Sequence, residues 1–215
     1  MMETSPIAPA KFKSLRRGIN YLGALGAKLR DLQGFATLAF ELIQNADDAP
    51  GATQIRFIVS DFGVVVENDG EFSDCGLAEE PECLWPNEPA HGHMCDFHRF
   101  REVSSGDKRE QSETAGAFGV GFTAVYQVTD RPELVSHGRH WLVYEDNPES
   151  ERIVVCPGCD RCSDLAFHGT RFYLPWVLDP NSKLRQALRA PAAAPDSRQR
   201  LIAELKTSIP KRIDV

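Results

Sequence analysis

The sequence predicts a fold of the α/β class, and three features of its pattern support this prediction. Apolar residues in the segment 35–49 recur at three- and four-residue steps, which is the spacing of one buried helix face. The segments 53–60 and 63–68 are short runs of β-favouring residues, and Asp61-Phe62 between them suits a hairpin turn. Further strand candidates follow at 133–136, 140–145, 152–156 and 170–174. Both kinds of element therefore contribute to one fold.

The remaining helices are predicted towards the two ends of the chain. A helix over 11–30 places leucines near one face, although its three glycines weaken the pattern. Helical character resumes at 117–128 after a glycine-rich loop, and two more helices are expected near 182–189 and 197–208. The Pro50-Gly51 pair ends the 35–49 helix.

The domain organisation follows from the length and from the irregular segments. A chain of 215 residues with 42% hydrophobic composition can bury one substantial core, which we place at 11–180 behind a disordered leader at 1–10. The long connection 71–115 is expected to be a lid or insert, and 156–162 a cysteine-rich hairpin. Residues 181–215 are expected to be a C-terminal helical extension, and the 215 residues together are expected to be the first part of a longer protein.

Composition excludes several classes of function. The chain has 24 basic and 31 acidic residues and a net charge of -7, which argues against nucleic acid as a partner of this segment alone. No apolar run approaches the roughly 20 residues of a membrane span, and the N-terminus lacks the layout of a signal peptide. We therefore expect a cytoplasmic protein without a membrane partner, whose six cysteines are thiols or metal ligands rather than disulfides.

The predicted helix 35–49 carries the first candidate site. Glu41, Asn45 and Asp48 are four and three residues apart, so their side chains fall on one face. Two acids and an amide on one face suit a magnesium ion with nucleotide phosphates, with Asn45 as the metal ligand and Glu41 as the group that orients or deprotonates water. The alternative is a solvated polar face.

Two later motifs favour the nucleotide interpretation. Glu67-Asn68-Asp69-Gly70 follows a predicted strand, where a polar side chain could accept from an exocyclic amine and Gly70 would let a flat ring approach; the alternative is a plain turn. The run from Gly116 to Phe122 leads into a predicted helix, so its bare backbone amides could hold phosphate oxygens; the alternative is an ordinary loop. A Rossmann interpretation fits poorly, and there is no Walker lysine.

Taken in their order along the chain, these motifs and the Gly169-Thr170 pair resemble those of the GHKL ATPase superfamily. Their amino-acid sequences are most similar to the sacsin-type branch of that superfamily. The resemblance covers about 32–174. It implies the Bergerat fold, a two-layer sandwich in which helices cover one face of a mixed, mostly antiparallel sheet and ATP lies between a helix, a lid and a glycine loop.

The resemblance also implies roles for individual residues. Glu41 would be the catalytic base, Asn45 the magnesium ligand, and Asp48 a residue near the nucleotide, while Asn68 and Thr170 would contact the adenine amino group. The nucleotide would further be bound by Gly70 under the adenine ring and, around the phosphates, by Gly116, Phe118, Gly119, Val120, Gly121 and Phe122, with Ser105 and Lys108 as weaker candidates from the lid.

Three departures from the family pattern stand out. Asn68 occupies the place of an aspartate, although its amide oxygen can still accept from adenine. Glu71-Phe72 replaces the usual second glycine of this box, and extra chain is inserted mostly between Glu79 and Phe97.

The insert and the hairpin carry the candidate metal ligands. Cys156, Cys159 and Cys162 form a CxxCxxC loop that suits tetrahedral zinc if His168 or Cys95 supplies a fourth ligand. Cys95 and His98 are a weaker candidate pair, in a region that also holds Cys75 and Cys83. Unligated thiols are the alternative, and an iron–sulfur cluster fits the spacing less well.

Three functions remain open from the sequence. The first is magnesium-dependent ATP binding with slow hydrolysis, in which lid closure drives a conformational change in a larger sacsin-like or chaperone-like protein. Its partners would be downstream domains and, with nucleotide bound, a second copy in a homodimer. The others are a histidine-kinase-type phosphotransfer module, although 11–30 contains no histidine acceptor, and a non-catalytic, zinc-stabilised interaction module.

Overall fold

The computed structural model describes residues 20–49, 51–91, 93–103, 120–162 and 167–208. Its helices are α1 (Tyr21–Asp31), α2 (Phe35–Asp47), α3 (Asp96–Val103), α4 (Lys183–Leu188) and α5 (Ser197–Ser208), with 3₁₀ turns at Trp85–Asn87, Val120–Gln127 and Glu149–Glu151. Its strands are β1 (Ile55–Val59), β2 (Gly63–Asn68), β3 (Glu133–Ser136), β4 (Arg139–Val143), β5 (Ile153–Val155) and β6 (Thr170–Pro175).

The six strands form one sheet in the order β1-β2-β6-β3-β4-β5. Every pair of neighbours among the described strands is antiparallel. β6, the last strand in the chain, lies between β2 and β3 and so joins the two hairpins. The predicted α+β fold with a largely antiparallel sheet is therefore confirmed.

The two faces of the sheet differ in character. One face is apolar, because aligned residues such as Val66, Phe172, Leu134 and Trp141 lie side by side on neighbouring strands and are all buried. The helices pack over these residues and complete the core. We call this the covered face, and the opposite face the open face.

Charged side chains line the open face. Glu67 is buried there between Arg56 and Arg171, with which it forms ion pairs. Pairing of this kind makes a buried carboxylate tolerable. The covered face supplies apolar burial and the open face supplies polar groups.

The C-terminal helices share the core with the N-terminal ones. α1 packs against α4, and α2 packs against α5 and the 3₁₀ turn Val120–Gln127. Arg185 of α4 is fully buried and bonded to Asp130 and to the carbonyl oxygens of Tyr126 and Thr129. These contacts fasten α4 to the segment that leads into β3.

Two elements differ from the sequence prediction. The segment predicted as a helix over 117–128 is helical in its described part, but as a 3₁₀ helix at Val120–Gln127. The connection predicted as irregular contains α3, whose Phe97 and Phe100 are buried in the core. α3 is short and mostly polar, with Phe97 and Phe100 as its buried aromatic residues, so its packing in the core decides its structure.

None of the described helices combines the length and apolar composition that crossing a membrane requires.

Candidate functional site

The predicted acidic and amide face lies on α2, partly inside the protein. Glu41 is half-buried, and removal of the carboxylate from water raises its pKa. Asn45 is only 6% exposed, and its Nδ2 is a buried atom without a hydrogen-bond partner among the described residues. Asp48 ends the helix as its C-cap and is exposed. Glu41 and Asn45 therefore form an inward polar pair that Asp48 does not join.

Gly121 lies directly against Glu41. A Cβ atom at position 121 would overlap the Glu41 carboxylate, far inside van der Waals contact. Only glycine fits at this position without displacing the acid. The structure thus brings the end of the glycine-rich motif onto the acidic face of α2.

Asn68 and Thr170 occupy the second part of the candidate site. They are register partners on β2 and β6, in the row of the covered face that also holds Ser136 of β3. The Thr170 hydroxyl donates to the carbonyl oxygen of Gly70 at 2.8 Å, and Asn68 Oδ1 accepts from the Gly70 amide at 3.0 Å. Both side chains thereby fix the turn that follows β2.

The same turn is tied to the end of α2. A Cβ at Gly70 would lie 3.0 Å from the Cβ of Ala52 and 3.1 Å from that of Ala49. Asp69 accepts three hydrogen bonds from Thr53 and Gln54. The bonds from the Thr53 hydroxyl and amide are the main cause that lowers the pKa of Asp69 to about 2. The turn and the segment that follows α2 are therefore bonded and packed together as one unit.

Ser136 is a residue of this unit that the sequence analysis missed. Its hydroxyl lies 2.9 Å from that of Thr170 and accepts from the amide of Phe72 at 3.0 Å. A serine at the end of a short strand carries no local sequence pattern that would mark it as a residue of the site. Its position is recognisable only once β3 is known to pair with β6.

The other predicted nucleotide-site residues are placed as follows. The ring of Phe122 packs in the core against Phe100 and Phe172, so only its backbone could meet a phosphate. Val120 begins the 3₁₀ turn. Outside the described residues lie Ser105, Lys108, Gly116, Phe118 and Gly119.

A second candidate site is a group of four sulfur and nitrogen donors in the insert. The side chains of Cys75, Cys83, Cys95 and His98 converge so that their donor atoms all lie within 4.8 Å of one another. We call this group the insert cluster. Burial is the main cause that raises the pKa of the Cys95 thiol to about 12.

A third candidate site lies on the open face beside β5, the edge strand of the sheet. His140 of β4 meets Cys156, Cys159 and Cys162, again with all donor atoms within 4.8 Å. We call this group the edge cluster. Backbone bonds hold it in place, because the Cys156 amide donates to the His140 carbonyl at 2.8 Å. A cavity of about 500 Å³ lined by His140, Cys156 and Cys162 opens beside it.

The prediction of the metal ligands is corrected in two respects. His140, not His168 or Cys95, completes the CxxCxxC loop, while His168 is exposed and faces Glu71. Cys95 and His98 are not an isolated pair, because Cys75 and Cys83 join them. Both groups have the donors that a metal such as zinc prefers, so both could bind one.

Comparison with known proteins places this α+β domain in a family. The family model described as "Sacsin domain" matches residues 28–154, which is more than half of the chain. The chain therefore belongs to the Sacsin domain family. The match includes α2, the turn after β2 and the whole insert cluster.

Two curated relatives agree with this assignment. The chain is similar to Sacsin of Homo sapiens, with 33% identity over 107 residues that cover 49% of this chain and 2% of that protein. It is also similar to Protein NO VEIN of Arabidopsis thaliana, with 29% identity over 105 residues, or 47% of this chain and 3% of that protein. The similar region is thus a small part of much longer proteins.

Proposed function

We propose that this domain binds Mg²⁺-ATP, hydrolyses it slowly, and thereby drives a conformational change in a larger sacsin-like protein. The observation that supports this most directly is the contact between Glu41 and Gly121, which joins an acidic helix face to the end of a glycine-rich segment. The order of the motifs along the chain, from the acidic helix through the turn at Gly70 and the glycine-rich segment to Thr170, also resembles that of GHKL ATPases with a Bergerat fold. The length of the relatives supports a role inside a larger chain.

The donor set fits a magnesium nucleotide. Asn45 has a buried amide nitrogen that lacks a partner among the described residues, so its carboxamide is available for a polar ligand. The unpartnered nitrogen is a donor and would pair with an acceptor such as a phosphate oxygen, while the carboxamide oxygen would coordinate Mg²⁺, which prefers oxygen ligands and keeps several waters. When bound, the ion would neutralise charge on the phosphate oxygens.

Each remaining residue has a definite task in this proposal. Glu41 would orient the attacking water and accept its proton, and a raised pKa brings a carboxylate closer to the range of an effective base. Asn68 already accepts from the Gly70 amide, and a second lone pair on its Oδ1 could accept from the adenine amino group. Thr170 and Ser136 would hold the Gly70 turn beneath the ring.

Thermal unfolding of the 215-residue chain with and without Mg²⁺-ATP tests binding. At a nucleotide concentration one hundred times the dissociation constant, we expect stabilisation by about 2.7 kcal/mol and a rise in Tm of about 5–10 °C. Asn45→Ala should abolish the rise, whereas Asp47→Asn, on an exposed acid of the same helix, should keep it. A wild-type Tm that nucleotide leaves unchanged contradicts the proposal and favours a non-catalytic interaction module.

Turnover is tested separately by release of phosphate. Glu41→Ala should retain nucleotide binding and lose hydrolysis by about 100-fold or more, because it removes only the proposed base. Equal turnover in Glu41→Ala and wild type would remove this assignment. Transfer of the phosphate to a protein histidine instead of water would favour the kinase alternative.

A further inference from the structure

We propose that the insert cluster and the edge cluster are two tetrahedral Zn²⁺ sites, each with three cysteine ligands and one histidine. All six cysteines of the chain belong to one cluster or the other, and each cluster contains one histidine. The inference is independent of ATP binding. It concerns the parts of the molecule that the proposed nucleotide chemistry does not use.

The distances between donor atoms match the edges of a zinc tetrahedron. Zn–S bonds of about 2.3 Å and Zn–N bonds of about 2.0 Å imply S···S edges of about 3.8 Å and S···N edges of about 3.5 Å. In the insert cluster, His98 Nδ1 lies 3.6 Å from the sulfur of Cys75 and 3.1 Å from that of Cys95.

The edge cluster repeats this geometry. His140 Nδ1 lies 3.6 Å from the sulfur of Cys159 and 3.2 Å from that of Cys162. The two sulfurs are 3.6 Å apart, far beyond the 2.05 Å of a disulfide bond. In each cluster the histidine nitrogen and two sulfurs are thus spaced close to the edges of a zinc tetrahedron, and the fourth donor lies within 4.8 Å of the other three.

The histidine rings are held in the tautomer that a metal needs. His98 Nε2 lies 3.1 Å from the carbonyl oxygen of Glu80, and His140 Nε2 lies 2.9 Å from a carboxylate oxygen of Glu133. Because these oxygens can only accept, each neutral ring carries its hydrogen on Nε2 and turns the bare Nδ1 lone pair towards the sulfurs. Histidines that bind zinc commonly donate their other N–H to a carbonyl or carboxylate in this way.

Arginines lie close to both groups of prospective thiolates. Three thiolates and Zn²⁺ carry a net charge of −1, which nearby cations can offset. Arg101 donates to the same Glu80 carbonyl that accepts from His98, at one end of the insert cluster. Arg161 donates to the Glu133 carboxylate that accepts from His140 in the edge cluster. Arg161 is also ion-paired with Glu133, so in the edge cluster it offsets the charge of a Cys₃His zinc site only in part.

Side-chain contacts such as the Ser73–Asp96 hydrogen bonds, rather than strand or helix pairing, hold most of the described insert in shape. Between β2 and α3 the only described helical element is the 3₁₀ turn Trp85–Asn87, yet Cys83 and Cys95 are buried. A zinc ion would link Cys75 and Cys83 of this segment to Cys95, just before α3, and to His98 in its first turn. The binding energy of such a site contributes directly to folding.

Metal content of the 215-residue chain, purified without chelators from zinc-supplemented cells, tests this proposal. Elemental analysis should give two zinc ions per chain for the wild type and one each for His98→Ala and His140→Ala. The matched controls His93→Ala and His168→Ala, which change exposed histidines outside both clusters, should retain two. Less than half an ion in the wild type, or equal zinc in all five proteins, would overturn the proposal.

Conservative variants cover the case in which His98→Ala does not fold. His98→Cys and His140→Cys preserve four ligands, so each should keep two metal ions. Production in cobalt-supplemented medium should then give the visible bands of tetrahedral Co²⁺ with thiolate ligands, and each cysteine variant should shift them towards the spectrum of a four-sulfur site. Octahedral Co²⁺ spectra from the wild type would contradict the assignment.

Discussion

The insert cluster and the edge cluster have the same four donors but different surroundings. In the insert cluster Cys95 is fully buried and His98 is 4% exposed, and the adjacent Phe97 packs against Trp141 of the sheet. In the edge cluster His140 is buried, but Cys159 is exposed to solvent. The insert cluster is therefore part of the hydrophobic core, whereas the edge cluster lies at the margin of the core.

Backbone hydrogen bonds, by contrast, support the edge cluster more than the insert cluster. His140 lies in a strand that is paired on both sides, so hydrogen bonds of the sheet hold it without any metal. Most of the insert lacks such pairing, and its position depends on side chains such as Arg139, which bonds to Asp74 and Glu79. The same ligand chemistry is therefore expected to be needed for folding in the insert and to be dispensable at the edge.

The largest effect should come from removing a ligand of the insert cluster. His98→Ala would leave three cysteines, two of them buried, and no complete zinc site, at a cost of about 4 kcal/mol. For a chain of this length that lowers Tm by about 10 °C, measurable by calorimetry. His93→Ala, as the control, should stay within about 1 °C of the wild type. A Tm for His98→Ala equal to that of the control would remove the distinction between the clusters.

Partial removal of metal should give an intermediate effect. A mild chelator should take zinc first from the edge cluster, because Cys159 is exposed whereas three of the four insert ligands are buried. The product should contain one zinc ion and melt about 3 °C lower than the starting protein, as His140→Ala should too. Native mass spectrometry and calorimetry on one sample would measure both. Loss of both ions at one rate would show that burial does not separate the clusters.

The smallest effect should come from the group that orients the edge histidine. Glu133→Gln keeps an acceptor for His140 but removes the charge, so we expect zinc affinity to fall by about 10-fold. Tm should change by no more than about 1 °C at saturating zinc, because the strand pairs remain. Competition with a coloured chelator gives the affinity. Unchanged affinity would mean that the Glu133 charge does not tune this site.

Local patterns in the sequence were sufficient for the elements that depend on neighbours in the chain. The apolar stripe of α2, the hairpin of β1 and β2, and the turn at Gly70 were all recognisable, because each follows from periodicity or turn chemistry over a few residues. The CxxCxxC loop was recognisable as three donors for the same reason. Glu41 and Asn45 were likewise placed on one helix face by their spacing.

Sites assembled from distant segments required the tertiary structure. His140 meets the CxxCxxC loop because β4 pairs with β5, and Ser136 meets Thr170 because β3 pairs with β6, and neither pairing is encoded in local spacing. Likewise, α3 brings Cys95 and His98 to Cys75 and Cys83 through burial of its aromatic face. The sequence by itself determined which donors and helix faces were available. Only the packing of strands and helices decided which of them meet, because short-range preferences do not specify contacts across a sheet.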